Sequence, residues 1–356
     1  MKLLAFVGIL GLLSPTALSA QSNTSKWSVN DQVFLKGNSF WDYVAFQPKP
    51  RRLYLAHQTE MTVLDLSTLA VVEIPGKDIH GIALAPRFNR GFITDGGNGQ
   101  VIVIDLKTLQ VEKSLLAQPD VDSICYDQAT RRVFAFSGDG KCAVVIDALK
   151  SDVLTILPLE GKPESSQADG KGSLYLNLED KDQVVKIDAA KIQVSTHWDL
   201  PSGSAPTGMD LDRERNRLFI GCRNGTLLVL NSLSGEIVAT LPIGKWVDGI
   251  VYDPIGRRVF ASCADGTLSV IHQDTTDAYS VTDVIQTEVG SHTMAFDPAT
   301  GSIYVPTAKL KPISPTDAHP VPHLLPETFR IVVWTAMARK IEASIDWPFA
   351  VFSKVR

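Results

Sequence analysis

The stretch IVYDPIGRRVFAS (250–262) shows the pattern that decides the fold. It consists of a hydrophobic strand, a turn, and a second strand that begins with basic residues and contains an aromatic one. Related stretches are VAFQPKPRRLYLA (44–56), ICYDQATRRVFAF (124–136), MDLDRERNRLFIG (209–221) and MAFDPATGSIYVP (294–306). The second-strand aromatics lie 38 to 44 residues apart and are Tyr54, Phe92, Phe134, Tyr175, Phe219, Phe260 and Tyr304. Seven repeats of about 42 residues therefore extend from about Gly37 to the C-terminus.

Each repeat is predicted to form four short antiparallel strands. Apolar and polar residues alternate with the period of two that is typical of strands, and the spacing of a helical solenoid is absent. Asp139-Gly140, Asn224-Gly225 and Asp265-Gly266 are hairpin signals between second and third strands. Aspartates that end the third strands are predicted turn acceptors, namely Asp65, Asp105, Asp147 and Asp188. The pattern predicts an all-β fold, a seven-bladed β-propeller of four-stranded antiparallel blades.

The repeats also resemble a known family. The phrases RRLYLA…TVLDLSTL, RRVFAF…AVVIDAL and GSIYVP resemble YVTN repeats, and nearly all of the chain after residue 20 is similar to YncE-like seven-bladed propellers. The Gly-His…Trp-Asp signature of WD40 repeats does not occur. The resemblance implies an extracytoplasmic protein, mostly of the binding type, and supplies no catalytic motif. Because propellers carry unrelated functions, the function has to be argued from the site.

The composition of the 356 residues is close to the globular average, which excludes a disordered, collagen-like or disulfide-stapled chain. The net charge of −5 argues against a nucleic-acid partner, because phosphate binding needs a basic surface. Four cysteines lie in apolar, strand-like runs without CxxC spacing, which favours buried free thiols but leaves their disulfide status open; they are Cys125, Cys142, Cys222 and Cys263.

Residues 1–20 have the layout of a secretory signal peptide: Lys2, an apolar run from Leu3 to Leu13, and a small-residue segment. We therefore expect a periplasmic or secreted protein, a monomer, with no transmembrane segment after cleavage. Residues 21–356 would form one propeller. Its ring would be closed either by residues 28–35 or by residues 340–346, which precede WPFAVF (347–352). The sequence leaves this choice open.

The repeat register predicts which residues meet at one mouth of the central channel. The position twelve residues before each second-strand aromatic, or eleven in the fourth repeat, is occupied by Asp42, His80, Asp122, Glu164, Thr207, Asp248 and His292. Two imidazoles and a carboxylate suit a divalent ion such as Zn, Mn or Fe, so we predict His80, His292 and Asp42 as metal ligands. Carboxylates close together repel one another, which favours a cation or a cationic ligand.

Other residues are predicted near the same mouth. His57, Asp95 and Arg223 follow second strands, and Trp41 and Trp246, which lie just before ring positions, would form apolar walls of a ligand site. The last repeat carries an insertion at 308–328 with His319 and His323, and long loops on rigid scaffolds are often functional.

Three functions are consistent with these features. The first is an exported binding protein with a small-ligand or metal-ion site, and a divalent metal ion is the only cofactor expected. The second is a metal-dependent lyase or hydrolase with Asp122 or Glu164 as the catalytic base. The third is a protein-interaction scaffold without a small-molecule site, which would use basic turns on the opposite face. A polar channel mouth that binds only water is a further alternative.

Overall fold

The structure is a computed structural model, and it describes residues 26–37, 39–311 and 324–337. The predicted signal peptide, His319, His323 and residues 340–352 lie outside the described residues. Among the described ranges, no helix is long and apolar enough to cross a membrane.

The described residues form antiparallel sheets joined by short turns. The N-terminal strand is β1 (Trp27–Phe34). A six-stranded sheet follows, with β2 (Val44–Pro48), β3 (Arg51–Asp65), β4 (Val71–Ala85), β5 (Arg90–Asp95), β6 (Gln100–Asp105) and β7 (Val111–Leu116). The next sheet contains β8 (Val121–Asp127), β9 (Arg132–Ser137), β10 (Cys142–Asp147) and β11 (Asp152–Pro158).

The C-terminal half continues with sheets of four strands. The first of them contains β12 (Pro163–Ala168), β13 (Ser173–Leu178), β14 (Gln183–Asp188) and β15 (Gln193–Asp199). The second contains β16 (Pro206–Asp212), β17 (Arg217–Cys222), β18 (Thr226–Asn231) and β19 (Ile237–Pro242). The third contains β20 (Val247–Asp253), β21 (Arg258–Cys263), β22 (Thr267–Gln273) and β23 (Tyr279–Gln286). The last combines β24 (Ala295–Asp297), β25 (Ser302–Thr307) and β26 (Arg330–Ala336) with β1.

The predicted all-β propeller of four-stranded antiparallel blades is confirmed, but the predicted count of seven separate blades is wrong, because the described residues form six sheets. The first two repeats share the six-stranded sheet. β3 covers the second and third strand positions of the first repeat, and β4 covers its fourth position and the first position of the next repeat. The turns inside these long strands are tight, with Gln58 and Asp78 at φ of 35° and 61°, so strand pairing continues through them.

The inner strands surround a central channel. β2, β4, β8, β12, β16, β20 and β24 contact one another in that order, and β24 contacts β2. Side-chain hydroxyls also join neighbouring inner strands: Ser123 donates to the carbonyl of Glu164, Ser165 to that of Thr207, and Thr293 to that of Asp42. These bonds fix the relative heights of three neighbouring pairs of inner segments at the level of the channel mouth.

The N-terminal strand closes the ring. β1 is the outermost strand of the last sheet and pairs with β26, from Trp27 opposite Ala336 to Phe34 opposite Arg330. Arg51 adds a link between the first and last sheets, since its Nη2 lies 2.6 Å from Asp297 Oδ2. Of the two closing segments left open by the sequence, the N-terminal one therefore takes the outer position of the last sheet.

The hydrophobic core lies between adjacent sheets. The second-strand aromatics of all repeats are buried, and none is more than 5% exposed. The predicted turn acceptors are confirmed: Asp65, Asp105, Asp147 and Asp188 each accept two backbone N–H groups from the turn that follows. The four cysteines are buried and free.

Candidate functional site at the channel mouth

The predicted ring residues lie at or near the beginning of the inner strands. Asp42 and His292 precede β2 and β24, while the others lie within β4, β8, β12, β16 and β20. His80 contacts both Asp42 and Asp122, and ion pairs through Glu179 connect Glu164 with Asp248, so these residues lie near one another. The repeat register therefore brings most of the predicted residues to one mouth of the channel.

Three ring residues form a compact cluster, which we call the Asp42–His80–Asp122 cluster. His80 Nδ1 lies 2.7 Å from Asp42 Oδ2 and 3.6 Å from Asp122 Oδ1. Potential ligand atoms of the three residues lie within 4.8 Å of one another. The second ring nitrogen, Nε2, lies 3.4 Å from Asp78 Oδ2. One imidazole and two carboxylates at this spacing form a donor set that suits a divalent transition metal.

Carboxylates hold a proton on His80. Burial opposes charging of the imidazole, but the hydrogen bond with Asp42 and the negative charges of Asp122, Asp42 and Asp78 raise the pKa of His80 to about 10. At neutral pH the imidazole is therefore cationic and occupies the position of a positive charge between the carboxylates. A metal ion at this cluster would have to displace that proton.

The remaining carboxyl groups of the mouth also bind protons unusually tightly. Burial and the charges of Asp42, Asp248 and Asp120 raise the pKa of Asp122 to about 7, against the opposing charge of His80. Burial and the charges of Asp122, Asp248 and Glu179 raise the pKa of Glu164 to about 9. Mainly because of burial, the pKa of Asp248 also rises, to about 6. A bound cation would relieve this repulsion.

A chain of ion pairs lies beside Glu164 and Asp248. Lys162 Nζ lies 3.3 Å from Glu164 Oε1 and 3.0 Å from Glu179 Oε2. The Arg223 guanidinium reaches Glu179 Oε1 at 2.5 Å and Asp248 Oδ1 at 3.9 Å. The sequence reasoning found Arg223 but missed Lys162 and Glu179. Glu179 follows Tyr175 by four residues, as Arg223 follows Phe219, so the same register contained the signal.

His292 does not join the metal-ligating group found among the described residues. Its Nδ1 lies 2.7 Å from the carbonyl oxygen of Gly290, and its ring stacks on Trp41 with centroids 5.7 Å apart. The third member of the group is Asp122 and not His292. Asp122 lies on β8, the inner strand next to β4. The predicted set of His80, His292 and Asp42 is therefore not the set that the structure brings together.

Two predicted ligand residues, His57 and Asp95, instead bind other parts of the chain. His57 is fully buried, with Nδ1 2.9 Å from Glu60 Oε1, Nε2 2.9 Å from the Ser39 carbonyl, and its ring stacked on Phe329. Asp95 is also fully buried and accepts hydrogen bonds from the Lys77 backbone N–H and from the Asn98 and Gln100 amides. These contacts explain their burial without a ligand.

Thr207 and the two tryptophans differ in their surroundings. Thr207 is fully buried and donates to the carbonyl of Val247 on the neighbouring inner strand. Trp41 is 4% exposed and packs against His292 and Phe329, so it contributes to the packing around the mouth and not to an open wall. Trp246 is 61% exposed and has a φ of 59°, which is unusual for a bulky residue. Of the two predicted walls, only Trp246 offers a large free surface.

Arginines of the predicted basic face are largely engaged within the molecule. Arg51 pairs with Asp297, and Arg258 Nη2 lies 2.7 Å from Asp253 Oδ2. Arg52 donates to the carbonyl of Leu106, and Arg132 to that of Ala190. Two of these contacts link neighbouring sheets and two lie within one sheet, and all of them reduce the charge that this face offers to an anionic partner.

Comparisons with known proteins identify the fold and no family. No protein-family model matches the chain, and no curated protein matches it in sequence. A chain of the "Crystal Structure of Mitotic Checkpoint Complex" is similar with a TM-score of 0.72 and 12% identity, over 94% of this chain and 98% of that one. A chain of "Structure of U3-55K" is similar with a TM-score of 0.71 and 10% identity, over 85% of this chain and 98% of that one. A chain of "Kuenenia stuttgartiensis Hydrazine Synthase" is similar with a TM-score of 0.66 and 15% identity, over 76% of this chain and 94% of that one. At such identities the similarity concerns the fold alone.

Proposed function

We propose that this chain is an exported, YVTN-like β-propeller binding protein that holds a divalent metal ion at the Asp42–His80–Asp122 cluster. The observation that carries the proposal is the approach of three potential ligand atoms, from three inner strand segments, to within 4.8 Å of one another. A mixed nitrogen and oxygen donor set favours Zn²⁺, Mn²⁺ or Fe²⁺ over the hard ions Ca²⁺ and Mg²⁺.

One atom of the cluster supports this proposal. Asp122 Oδ1 is shielded from water and has no hydrogen-bond partner among the described residues. A buried polar atom without a partner is costly, and coordination of a metal would satisfy it. With the metal held through Nδ1 by His80 together with Asp42 and Asp122, Asp78 at 3.4 Å from Nε2 would orient the ring and increase its basicity, as carboxylates near metal-bound histidines commonly do.

Metal content and affinity test the proposal. The protein is stripped with a chelator, titrated with Zn²⁺ and with Mn²⁺, and compared with the His80→Gln and Asp122→Asn variants. We expect one equivalent of metal for the unmodified chain, and an affinity lower by at least about tenfold in both variants. His292→Gln is the matched control, because His292 is outside the cluster, and it should keep the affinity. If the chain binds neither metal, or if His80→Gln binds as well as the unmodified chain, the proposal is wrong.

One observation favours the enzymatic alternative, a metal-dependent lyase or hydrolase. The Glu164 side chain is 7% exposed, and with a pKa of about 9 it retains its proton at neutral pH. A protonated carboxyl group beside a metal site can act as a general acid, and as a base after it has donated its proton. In this alternative, Glu164→Gln abolishes turnover of the substrate and leaves metal affinity nearly unchanged. If the protein only binds its ligand or metal, Glu164→Gln should leave both affinities unchanged.

Export is a separate part of the proposal and has its own test. Mass spectrometry of the N-terminus after expression in a host with a secretory pathway should find a chain that begins after Ser19 or Ala20. An intact chain that keeps Met1 and stays in the cytoplasm would contradict export while leaving the metal site untouched.

A further inference from the structure

Below the ring of carboxyl groups, the inner strands carry a second ring of residues that are small at all positions but one. The residues that directly follow the ring positions are Gly81, Ser123, Ser165, Gly208, Gly249, Thr293 and, as the exception, Tyr43. The glycines have no side chain, and the hydroxyls of Ser123, Ser165 and Thr293 bond to neighbouring carbonyls. The space at this level of the channel is therefore available to Tyr43.

Tyr43 packs against the neighbouring inner strand β4. A β-carbon placed on Gly81 would lie 3.5 Å from Cδ2 of Tyr43, so the ring lies over the neighbouring inner strand. Burial and the charges of Glu164, Asp122, Asp42 and Asp248 raise the pKa of the Tyr43 hydroxyl well above its usual value. Glu164 belongs to β12, on the opposite side of the ring from β2. Tyr43 and Asp248, a residue of the acidic mouth, both line the space that follows along the channel.

The space beneath Tyr43 is a chamber with both apolar and polar walls and a volume of about 230 Å³. A belt of aliphatic and thioether side chains surrounds it: Val44, Ile82, Ile124, Met209, Ile250 and Met294. An apolar protein cavity of roughly 150 Å³ is known to bind benzene, so this chamber has room for a larger molecule. Its two methionines can adapt to the shape of a ligand and make favourable contacts with aromatic rings.

Polar groups line the chamber from several inner strands. They include Asp210, Gln167 and Asp248, of which Asp248 also lies 3.9 Å from the Arg223 guanidinium. The Asp210 carboxylate accepts one backbone N–H at each oxygen, from Tyr252 at 2.7 Å and from Leu211 at 2.8 Å. Each carboxylate oxygen can accept two hydrogen bonds, so Asp210 keeps capacity for another donor. The charge of Arg213 acts on Asp210, but its guanidinium donates to the Ala168 carbonyl and the Gln167 amide oxygen.

We propose that the chamber beneath Tyr43 is a second binding site, which takes a small organic ammonium ion with an apolar, preferably aromatic, body. Its nitrogen donates to the Asp210 carboxylate, and its body packs against the belt that contains Ile124, Met209 and Met294. Scaled from benzene in about 150 Å³, the volume suits a ligand of roughly nine non-hydrogen atoms. The site shares no residue with the Asp42–His80–Asp122 cluster and does not depend on the metal proposal.

Nuclear magnetic resonance of methionine methyl groups can test this site in the whole protein. The full chain, labelled with ¹³C at the methionine ε-methyl groups and freed of metal, is titrated with benzylammonium and, separately, with toluene. Met209→Leu and Met294→Leu assign the two methyl signals. We expect benzylammonium to shift both signals in a saturable manner and to bind more tightly than toluene.

Variants then locate the ammonium group. Asp210→Asn, which keeps the shape of the side chain, should weaken benzylammonium binding by at least about tenfold and leave toluene binding unchanged. Asp152→Asn, at an exposed position on the outer strand β11, is the matched control and should change neither. If Asp210→Asn does not fold, Met294→Phe, which fills the chamber, should abolish binding of both probes.

Two outcomes would overturn the proposal. If neither methyl signal shifts at millimolar benzylammonium, the chamber holds only water. If benzylammonium binds but Asp122→Asn abolishes binding and Asp210→Asn does not, the ammonium ion binds in the acidic mouth and not in the chamber.

Discussion

His80 Nδ1 lies 2.7 Å from Asp42 Oδ2, although the two residues are 38 positions apart in the chain. They begin the inner strand segments of two successive repeats, and the propeller places such segments side by side around its channel. Residues that are one repeat apart in the sequence can therefore form a hydrogen bond at the mouth. The same relation adds Asp122 from the following repeat and completes the candidate metal site.

Metal affinity should rise with pH. Asp122 has a pKa of about 7 and His80 one of about 10, and both must lose a proton before they can act as ligands. We expect the dissociation constant for Zn²⁺ to fall by at least about tenfold between about pH 6 and about pH 8, with release of protons on binding. Isothermal titration in two buffers of different ionisation enthalpy measures both quantities. An affinity that is independent of pH would mean that neither group is a ligand.

Stability of the metal-free protein should fall as pH rises. The pKa of Glu164 is about 9 in the folded chain, against an ordinary 4.5, so the folded state keeps a proton that the unfolded state loses. Its contribution to stability is fully present below about pH 4.5 and is lost as pH rises through about 9. Thermal unfolding across this range should show a smaller decline for Glu164→Gln than for the unmodified chain. An equal decline of the unfolding temperature in Glu164→Gln and in the unmodified chain would contradict a raised pKa of Glu164.

His80 should contribute in the same direction but over a higher range. Its folded pKa of about 10 exceeds the ordinary 6.5, so its stabilising charge is present below about pH 6.5 and is lost as pH rises through about 10. His80→Gln should therefore lower the unfolding temperature at about pH 6 more than at about pH 10. An equal loss at both values would indicate that His80 contributes by packing alone.

His57 should matter for stability and not for metal binding. Both ring nitrogens have protein partners, and the ring stacks on Phe329 with centroids 4.4 Å apart. His57→Leu leaves Glu60 and the Ser39 carbonyl without these partners, and we expect a loss of about 2–4 kcal/mol in the free energy of unfolding. Urea denaturation measures the loss, and metal titration of the folded variant should give unchanged affinity. Reduced metal affinity without destabilisation would indicate that His57 belongs to the metal site.

Closure of the ring by β1 depends on Trp27. This side chain is 5% exposed, and its ring lies edge-on to Phe260 with centroids 5.3 Å apart, between the last two sheets. Trp27→Ala should destabilise the protein by about 3–5 kcal/mol, as is typical for loss of a buried aromatic. Trp246→Ala is the control: Trp246 is 61% exposed, so its loss should cost less than about 1 kcal/mol. Similar unfolding midpoints for the two variants would argue against closure by β1.

The sequence predicted the propeller and the level of its mouth because both depend on the repeat register. The second-strand aromatics are all buried, and counting back from them locates Asp42, His80 and Asp122 correctly. The merging of two repeats into one sheet was not predictable in this way. The first repeat has no glycine between its second and third strands, and only the conformation of Gln58, at φ 35°, shows how the chain turns there.

The sequence could not show which side chains at the mouth were already satisfied. His57 and Asp95 have residue types that commonly bind ligands, but long-range packing gives them protein partners. His292 has the right register, yet a bond to the Gly290 carbonyl and stacking on Trp41 hold its ring apart from the cluster. Such choices depend on rotamers and neighbours that a repeat pattern does not encode.

Cobalt substitution tests the central claim most directly, because the optical and X-ray absorption spectra of bound Co²⁺ report its ligands. The metal-free chain, loaded with one equivalent of Co²⁺, should show coordination by one imidazole nitrogen together with carboxylate oxygens. His80→Gln should remove the nitrogen signal, while His292→Gln should leave the spectrum unchanged. A spectrum of free aqueous Co²⁺, or an imidazole signal that disappears in His292→Gln and persists in His80→Gln, would contradict the assignment of the Asp42–His80–Asp122 cluster as the metal site.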